Sequence, residues 1–217
     1  MYNFKRVKPY VFYRVMKSPL TGLIRLLFKL QVHGRENLPA KAGGVIIACN
    51  HLHAIDPGFL VAATGLRWRF MAKEELFGSA VMRWLCTHFN AFPVRRGVVV
   101  DRSAIDFAAA VLRDGRAGLG IFPEGTRSVD GKLLPGKHGA AVLARKTGAD
   151  VLPCSLYWEG KLRRGTRVTV RIGEVIPCAQ LGMGQAPNKR ENKAATAKIM
   201  AAIERLWAQG HADNTQN

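Results

Sequence analysis

A histidine followed a few residues later by a carboxylate, at the end of a short apolar strand, is an arrangement that can move a proton. The chain carries one such block, Asn50-His51-Leu52-His53-Ala54-Ile55-Asp56-Pro57, directly after the apolar run Val45–Cys49. An aspartate that accepts from one ring nitrogen leaves the other free to take a proton from a hydroxyl. Each residue also has a plainer reading. Asp56 before Pro57 has the form of a helix cap followed by a first-turn proline. His51 or His53 has an ordinary place as a partly buried, hydrogen-bonded imidazole. A metal site built on His51, His53 and Asp56 would lack its remaining ligands, because no other His/Cys/carboxylate cluster supplies them.

A second block, Phe122-Pro123-Glu124-Gly125-Thr126-Arg127-Ser128, follows the apolar run Gly118–Phe122. It puts a carboxylate, a glycine, two hydroxyls and an arginine into one tight turn. Glycine lets a backbone come close to a ligand, and arginine grips phosphate with a two-pronged donor face. The plainer reading is a surface turn with a solvated salt bridge. That accounts for the glycine but not for the whole string at a strand end.

Both blocks sit where strands should end, and the rest of the chain predicts the scaffold that would hold them. Val45–Cys49, Trp68–Ala72, Ala91–Val94, Gly118–Phe122, Val151–Tyr157 and Arg167–Ile172 read as strands. Pro57–Thr64, Glu75–Phe89, Arg102–Asp114, Lys137–Thr147 and Ala194–Trp207 read as helices. This alternation implies an α/β fold, a largely parallel or mixed central sheet flanked by helices. Catalytic and binding groups of such sheets gather at the carboxyl ends of the strands. Pro177–Lys193 reads as a loop. The expected organisation is residues 1–30 as an N-terminal attachment, 31–209 as the α/β domain and 210–217 as a flexible tail.

The first thirty residues differ from the remainder, with no acid before Glu36. Two short helices are expected, one near Val11–Met16 and one over Leu20–Lys29, opened by Ser18-Pro19. Each pairs a narrow basic stripe with a wide apolar face, the pattern of an amphipathic helix pair lying in a membrane interface. Docking on the protein's own core would use the same pattern. No stretch has the roughly 20 apolar residues of a spanning helix, and no secretory signal is visible.

Charge narrows the partners without choosing among them. The chain has 33 Lys+Arg against 15 Asp+Glu, a net charge of +18. Such a surface attracts nucleic acid, anionic lipid headgroups or acidic carrier molecules. A basic nucleic-acid-binding module is the rival from a different class. It would cluster its basic residues with exposed aromatics, whereas here they are spread along the chain. The run Lys161–Arg167 is better suited to a solvated loop facing lipid or carrier protein. The four cysteines, Cys49, Cys86, Cys154 and Cys178, are far apart and form no C-x-x-C pair, which suits a reducing compartment.

Together the two blocks resemble the glycerolipid acyltransferase family, which includes the 1-acylglycerol-3-phosphate acyltransferases that make phosphatidic acid. The family's marks are N-H-x-x-x-x-D and a downstream F-P-E-G-T-R-S, and both are complete here and in order. The resemblance runs from about Leu30 to Ile176. Asn90-Ala91-Phe92-Pro93-Val94-Arg95-Arg96 is similar to the family's second motif, with Asn90 in place of its leading glycine. Asn90 also tolerates a positive φ.

The resemblance implies His51 as general base and Asp56 as its orienting partner. Arg96, Glu124, Gly125, Thr126, Arg127 and Lys137 would bind the acceptor, the arginines on its phosphate. It implies a membrane-surface enzyme on the cytoplasmic face of the inner membrane. The donor would be a thioester of acyl carrier protein or coenzyme A, and the acceptor the sn-2 hydroxyl of 1-acylglycerol 3-phosphate. Lyso-ornithine lipid, another lysolipid or glycerol 3-phosphate would be taken by the same chemistry. No metal or redox cofactor is called for, since a thioester carries the driving force.

Overall fold

A computed structural model describes residues 11–88, 90–94 and 102–215. Its centre is a seven-stranded sheet: β1 (Lys29–His33), β2 (Val45–Cys49), β3 (Trp68–Lys73), β4 (Ala91–Val94), β5 (Gly118–Ile121), β6 (Asp150–Tyr157) and β7 (Arg167–Ile172). The spatial order is β1-β7-β6-β2-β5-β3-β4. Every neighbouring pair is parallel except β6 with β7. The helices are α1 (Val11–Leu27), α2 (Asp56–Thr64), α3 (Ala80–His88), α4 (Arg102–Asp114), α5 (Gly139–Thr147) and α6 (Lys189–Thr215).

Period-two alternation divides the core between the faces of the sheet. From β2, Val45, Ile47 and Cys49 share a cluster with Ile24 of α1, Phe28 just after it and Phe59 of α2. Ile46 and Ala48 turn the other way, toward Ala108 and Leu112 of α4, Leu143 of α5 and Ile199 and Ile203 of α6. Strand β5 shows why its sequence alternates with glycine. A Cβ at Gly118 would lie 2.3 Å from the Trp68 ring, and one at Gly120 would lie 2.2 Å from the Phe70 ring. The bare backbone of β5 is what lets two aromatic side chains of β3 lie across the sheet beside β2.

Three expectations are corrected. The two N-terminal helices are one: α1 continues through Pro19. An interior proline costs roughly 3 kcal/mol of helix stability. Packing offsets it, because Ile24 is buried on α2, with Leu20 and Leu27 half-buried beside it and Phe28 buried just beyond the helix end. Lys29 does not extend that helix but starts β1, paired in register with Arg167. Strand β1 alternates exposed and half-buried residues at the sheet edge, so its sequence lacks the apolar run of the inner strands. The C-terminal tail is helical as far as Thr215. Tyr157 of β6 holds it there, with ring centroids 5.8 Å from Trp207 and 5.1 Å from His211.

Smaller boundary shifts have local causes. A 3-10 turn over Glu74–Phe77 precedes α3, so the expected helix Glu75–Phe89 is broken in two. Helix α6 starts earlier than Ala194, because Asn188 Oδ1 accepts the amides of Arg190 and Glu191 while Glu191 accepts from the Asn188 amide group. Asn90 has φ 59°, the left-handed conformation expected of it. Among the described residues no helix is long and apolar enough to cross a membrane.

Candidate active site

Strands β2 and β5 are parallel neighbours, so the two sequence blocks leave the sheet side by side at its carboxyl edge. Asn50 makes the departure from β2 possible. Its backbone is past the last register pair, Cys49 with Cys154. Its side chain takes over the ladder, donating to the Leu156 carbonyl at 2.9 Å and accepting the Leu156 amide at 2.8 Å. The main chain is thereby released to turn, and His51 comes to lie flat on Phe122, with ring centroids 4.1 Å apart and planes 15° from parallel.

His51 Nδ1 is 2.7 Å from Asp56 Oδ2. That oxygen also accepts the amides of Leu52 at 2.7 Å and His53 at 2.9 Å. Three donors on one oxygen fix the carboxylate, and an acceptor of this kind holds the proton on Nδ1 and leaves Nε2 as a base. The helix-cap reading of Asp56 is corrected. Ile55 occupies the cap of α2, Asp56 begins the helix, and no side chain caps it. The carboxylate points back into the loop before it, where it organises the turn carrying His51. His53 is exposed, and its Nδ1 accepts the Ile55 amide at 3.3 Å. The structure therefore joins His51 with Asp56 and leaves His53 outside.

The second block is clamped to the first in both directions. Ser128 N donates to the His51 carbonyl at 2.8 Å. His51 N donates to Glu124 Oε1 at 3.1 Å, and Leu134 N donates to Glu124 Oε2 at 3.4 Å. Glu124, only 2% exposed, thus spends both oxygens on the protein's own backbone. Gly125 has φ 70°, and a Cβ there would come within 2.9 Å of the Lys137 side chain. The glycine lets the Lys137 ammonium fold over the turn. Lys137 N in turn donates to the Pro123 carbonyl at 2.7 Å. Thr126 and Arg127 are exposed. Arg95 and Arg96 lie outside the described residues.

Burial pushes the Glu124 carboxyl up to about 7. The His51 and Leu134 amides pull the other way, and the neighbouring Asp56 carboxylate adds to the rise. The folded chain therefore keeps a proton that the unfolded chain releases near the ordinary glutamate value of 4.5. Stability from this group is full below that pH and declines as pH rises through about 7. In urea unfolding from pH 5 to pH 8, the wild type should lose on the order of 1–2 kcal/mol, and Glu124→Gln should lack that decline. An equal slope in both proteins would assign it elsewhere.

In front of His51 lies a cavity of about 430 Å³. Its walls come from α2 (Pro57, Gly58, Val61), β3 (Phe70, Met71, Ala72), Leu76 and Met82, with Leu20 of α1 along one side. Arg127 is the arginine among its lining residues. Sequence reasoning missed this wall, because apolar residues of a groove have the same types as apolar residues of a core. The site thus offers a base fixed by a buried carboxylate, a cation near it, and an apolar trough that a hydrocarbon chain could occupy. Such a site can deprotonate a hydroxyl next to a bound acyl group.

A family model described as Acyltransferase matches residues 29–157. A chloroplastic 1-acyl-sn-glycerol-3-phosphate acyltransferase of Brassica napus is 32% identical over 137 residues, 62% of this chain and 39% of that protein. The chain thus spans about two fifths of that plant relative. A 1-acyl-sn-glycerol-3-phosphate acyltransferase of Bacillus subtilis is 29% identical over 204 residues, 89% of this chain and 96% of that protein. The crystal structure of the 1-acyl-sn-glycerophosphate (LPA) acyltransferase PlsC from Thermotoga maritima superposes with a TM-score of 0.65 at 25% identity. That match covers 95% of this chain and 84% of the other.

Proposed function

Because the chain belongs to the acyltransferase family, we propose that it transfers a fatty acyl group from a thioester to the sn-2 hydroxyl of 1-acylglycerol 3-phosphate, giving phosphatidic acid. The observation that carries this reading is the His51–Asp56 pair at 2.7 Å beside a cavity lined by both hydrocarbon and Arg127. His51 Nε2 takes the hydroxyl proton as the oxygen attacks the thioester carbon. The tetrahedral intermediate collapses, the C–S bond breaks, and the proton passes from Nε2 to the leaving thiolate. Arg127 holds the acceptor phosphate with Lys137 beside it, and Arg96 completes the cationic set by resemblance. Glu124 is a positioning group in this scheme. The donor is an acyl-carrier-protein or coenzyme A thioester, and the relatives' names support the acceptor.

The test is a panel. Purified protein receives a long-chain acyl thioester with lysophosphatidate, lyso-ornithine lipid or glycerol 3-phosphate. Lysophosphatidate is expected to be preferred, and Arg127→Ala to raise its KM by about tenfold or more with a smaller change in kcat. Preference for lyso-ornithine lipid, or an Arg127→Ala enzyme with unchanged KM, would reject the phosphate assignment.

The enzyme works at the cytoplasmic face of a membrane, docked in part by α1. That helix is partitioned: Ile24 is held in the core, while Leu23 and Leu26 are 51% and 72% exposed on either side of the exposed Arg25. Deleting residues 1–30 would remove Ile24, Phe28 and the first part of β1, so it would test folding more than docking. Leu23→Asp with Leu26→Asp leaves the core intact. It is expected to release the protein from anionic vesicles in a sedimentation assay, and undiminished pelleting would reject docking through α1.

A further inference from the structure

Helix α3 and the turn before it put Leu76, Val81, Met82 and Trp84 at the surface, with 41%, 68%, 37% and 50% of their areas exposed. These four account for most of the exposed large hydrophobic residues among the described residues, within nine positions of sequence. Water-facing patches of this kind mark contact surfaces. Two of the four, Leu76 and Met82, also line the cavity in front of His51. The cavity in front of the catalytic histidine and the exposed surface of α3 therefore share Leu76 and Met82.

Resting on the acyl-transfer reading above, we propose that α3 is a second membrane-contact element, set into the bilayer interface so that a lipid's acyl chain passes from the hydrocarbon phase along Met82 and Leu76 to His51. These shared residues decide the occupant. A protein partner seated on α3 would close the cavity's lipid-facing side, whereas hydrocarbon extends it. Charge on the helix agrees: α3 carries the exposed Arg83 and no acid, as suits an anionic headgroup layer, and of the two acids in the turn before it, Glu74 and Glu75, Glu75 is paired with Lys73 at 3.0 Å. A tryptophan beside an arginine on a short amphipathic helix suits the boundary between headgroups and chains. This contact is separate from Leu23 and Leu26 on α1 and stands at the mouth of the site itself.

The experiment uses the full chain and two variants that leave the cavity lining alone, Val81→Asp and Val81→Ser with Trp84→Gln. Sedimentation with vesicles of equal phosphatidylglycerol and phosphatidylcholine reads binding without any turnover. Kinetics compare long-chain lysophosphatidate in those vesicles with a short-chain, water-soluble lysophosphatidate and a short-chain coenzyme A thioester. Both variants are expected to bind vesicles more weakly and to lose about tenfold in turnover on vesicles. Their rate on the soluble pair should stay within about twofold of wild type, which also shows that they fold. Unchanged vesicle binding and vesicle turnover would overturn the proposal. So would a wild-type dimer in vesicle-free solution that the variants convert to monomer, since a second copy would then be the occupant. A wild type that turns over neither substrate would reject the acyl-transfer reading, while sedimentation would still decide whether α3 meets the bilayer.

Discussion

A chain carrying His51→Ala is expected to fold and to lose about three orders of magnitude in kcat/KM for acyl transfer. The imidazole makes one side-chain hydrogen bond, to Asp56, and one stack, on Phe122. Its backbone amide and carbonyl, which carry the clamp to Glu124 and Ser128, survive the substitution. The melting temperature should therefore fall only modestly, while the acceptor hydroxyl loses its base. His53→Ala is the matched control, two residues away and in the same turn. Its ring is exposed and, among the described residues, accepts the Ile55 amide alone, so its activity should stay within about twofold of wild type. A His51→Ala enzyme retaining a tenth or more of wild-type turnover, or an equal loss in the two variants, would remove His51 from the proton transfer.

The contrast between those two histidines shows what could be read from the residues and what could not. Sequence placed both after the same apolar strand, and a carboxylate accepting from either would have the same spelling. Distance separates them: the turn brings Nδ1 of His51 to 2.7 Å from Asp56, while His53 contributes its backbone amide to that carboxylate. The inner strands were legible because buried parallel strands are uninterrupted apolar runs. Strand β1 was not, because Lys29–His33 alternates at an edge. The continuity of α1 through Pro19 was hidden for a different reason. It depends on Ile24 and Gly58 meeting across two helices, where a Cβ on Gly58 would lie 2.9 Å from Ile24 Cδ1. The start of α6 was missed: Asn188-x-x-Glu191 is a capping pattern, but it lies inside the run Pro177–Lys193 that reads as a loop, whereas the helix begins at Lys189.

The role of Glu124 turns on the same distinction. Its place in a string with Gly125 and Arg127 suggests an acceptor-binding carboxylate. Both of its oxygens take backbone amides, however, and it is not among the residues lining the cavity. The string therefore divides. Glu124 is buried and accepts the His51 amide, Gly125 admits Lys137, and Arg127 lines the cavity. One turn couples the strand that delivers the base to the cations proposed for the substrate.

Asp56→Asn is expected to keep the fold and to lower kcat by about two to three orders of magnitude with little change in KM. The amide is nearly the size of the carboxylate, and its oxygen can still accept the Leu52 and His53 amides that the Asp56 Oδ2 atom now accepts. Lost is the negative charge opposite Nδ1, which stabilises the imidazolium as the proton arrives on Nε2. Asp56→Ala differs in kind. The residue is fully buried, and alanine would leave both amides and Nδ1 without their acceptor, at about 1–3 kcal/mol for each buried orphan. That variant should unfold at markedly lower urea concentration, whereas the asparagine variant should not. Stability and catalysis are thus separable at one position. The double variant His51→Ala with Asp56→Asn completes the test. If the aspartate acts only through the histidine, the pair should be no slower than His51→Ala alone, because the second substitution removes support from a base already gone. Losses that instead multiply would mean that Asp56 has a path to the substrate of its own, through the Oδ1 atom that is buried without a hydrogen-bond partner among the described residues.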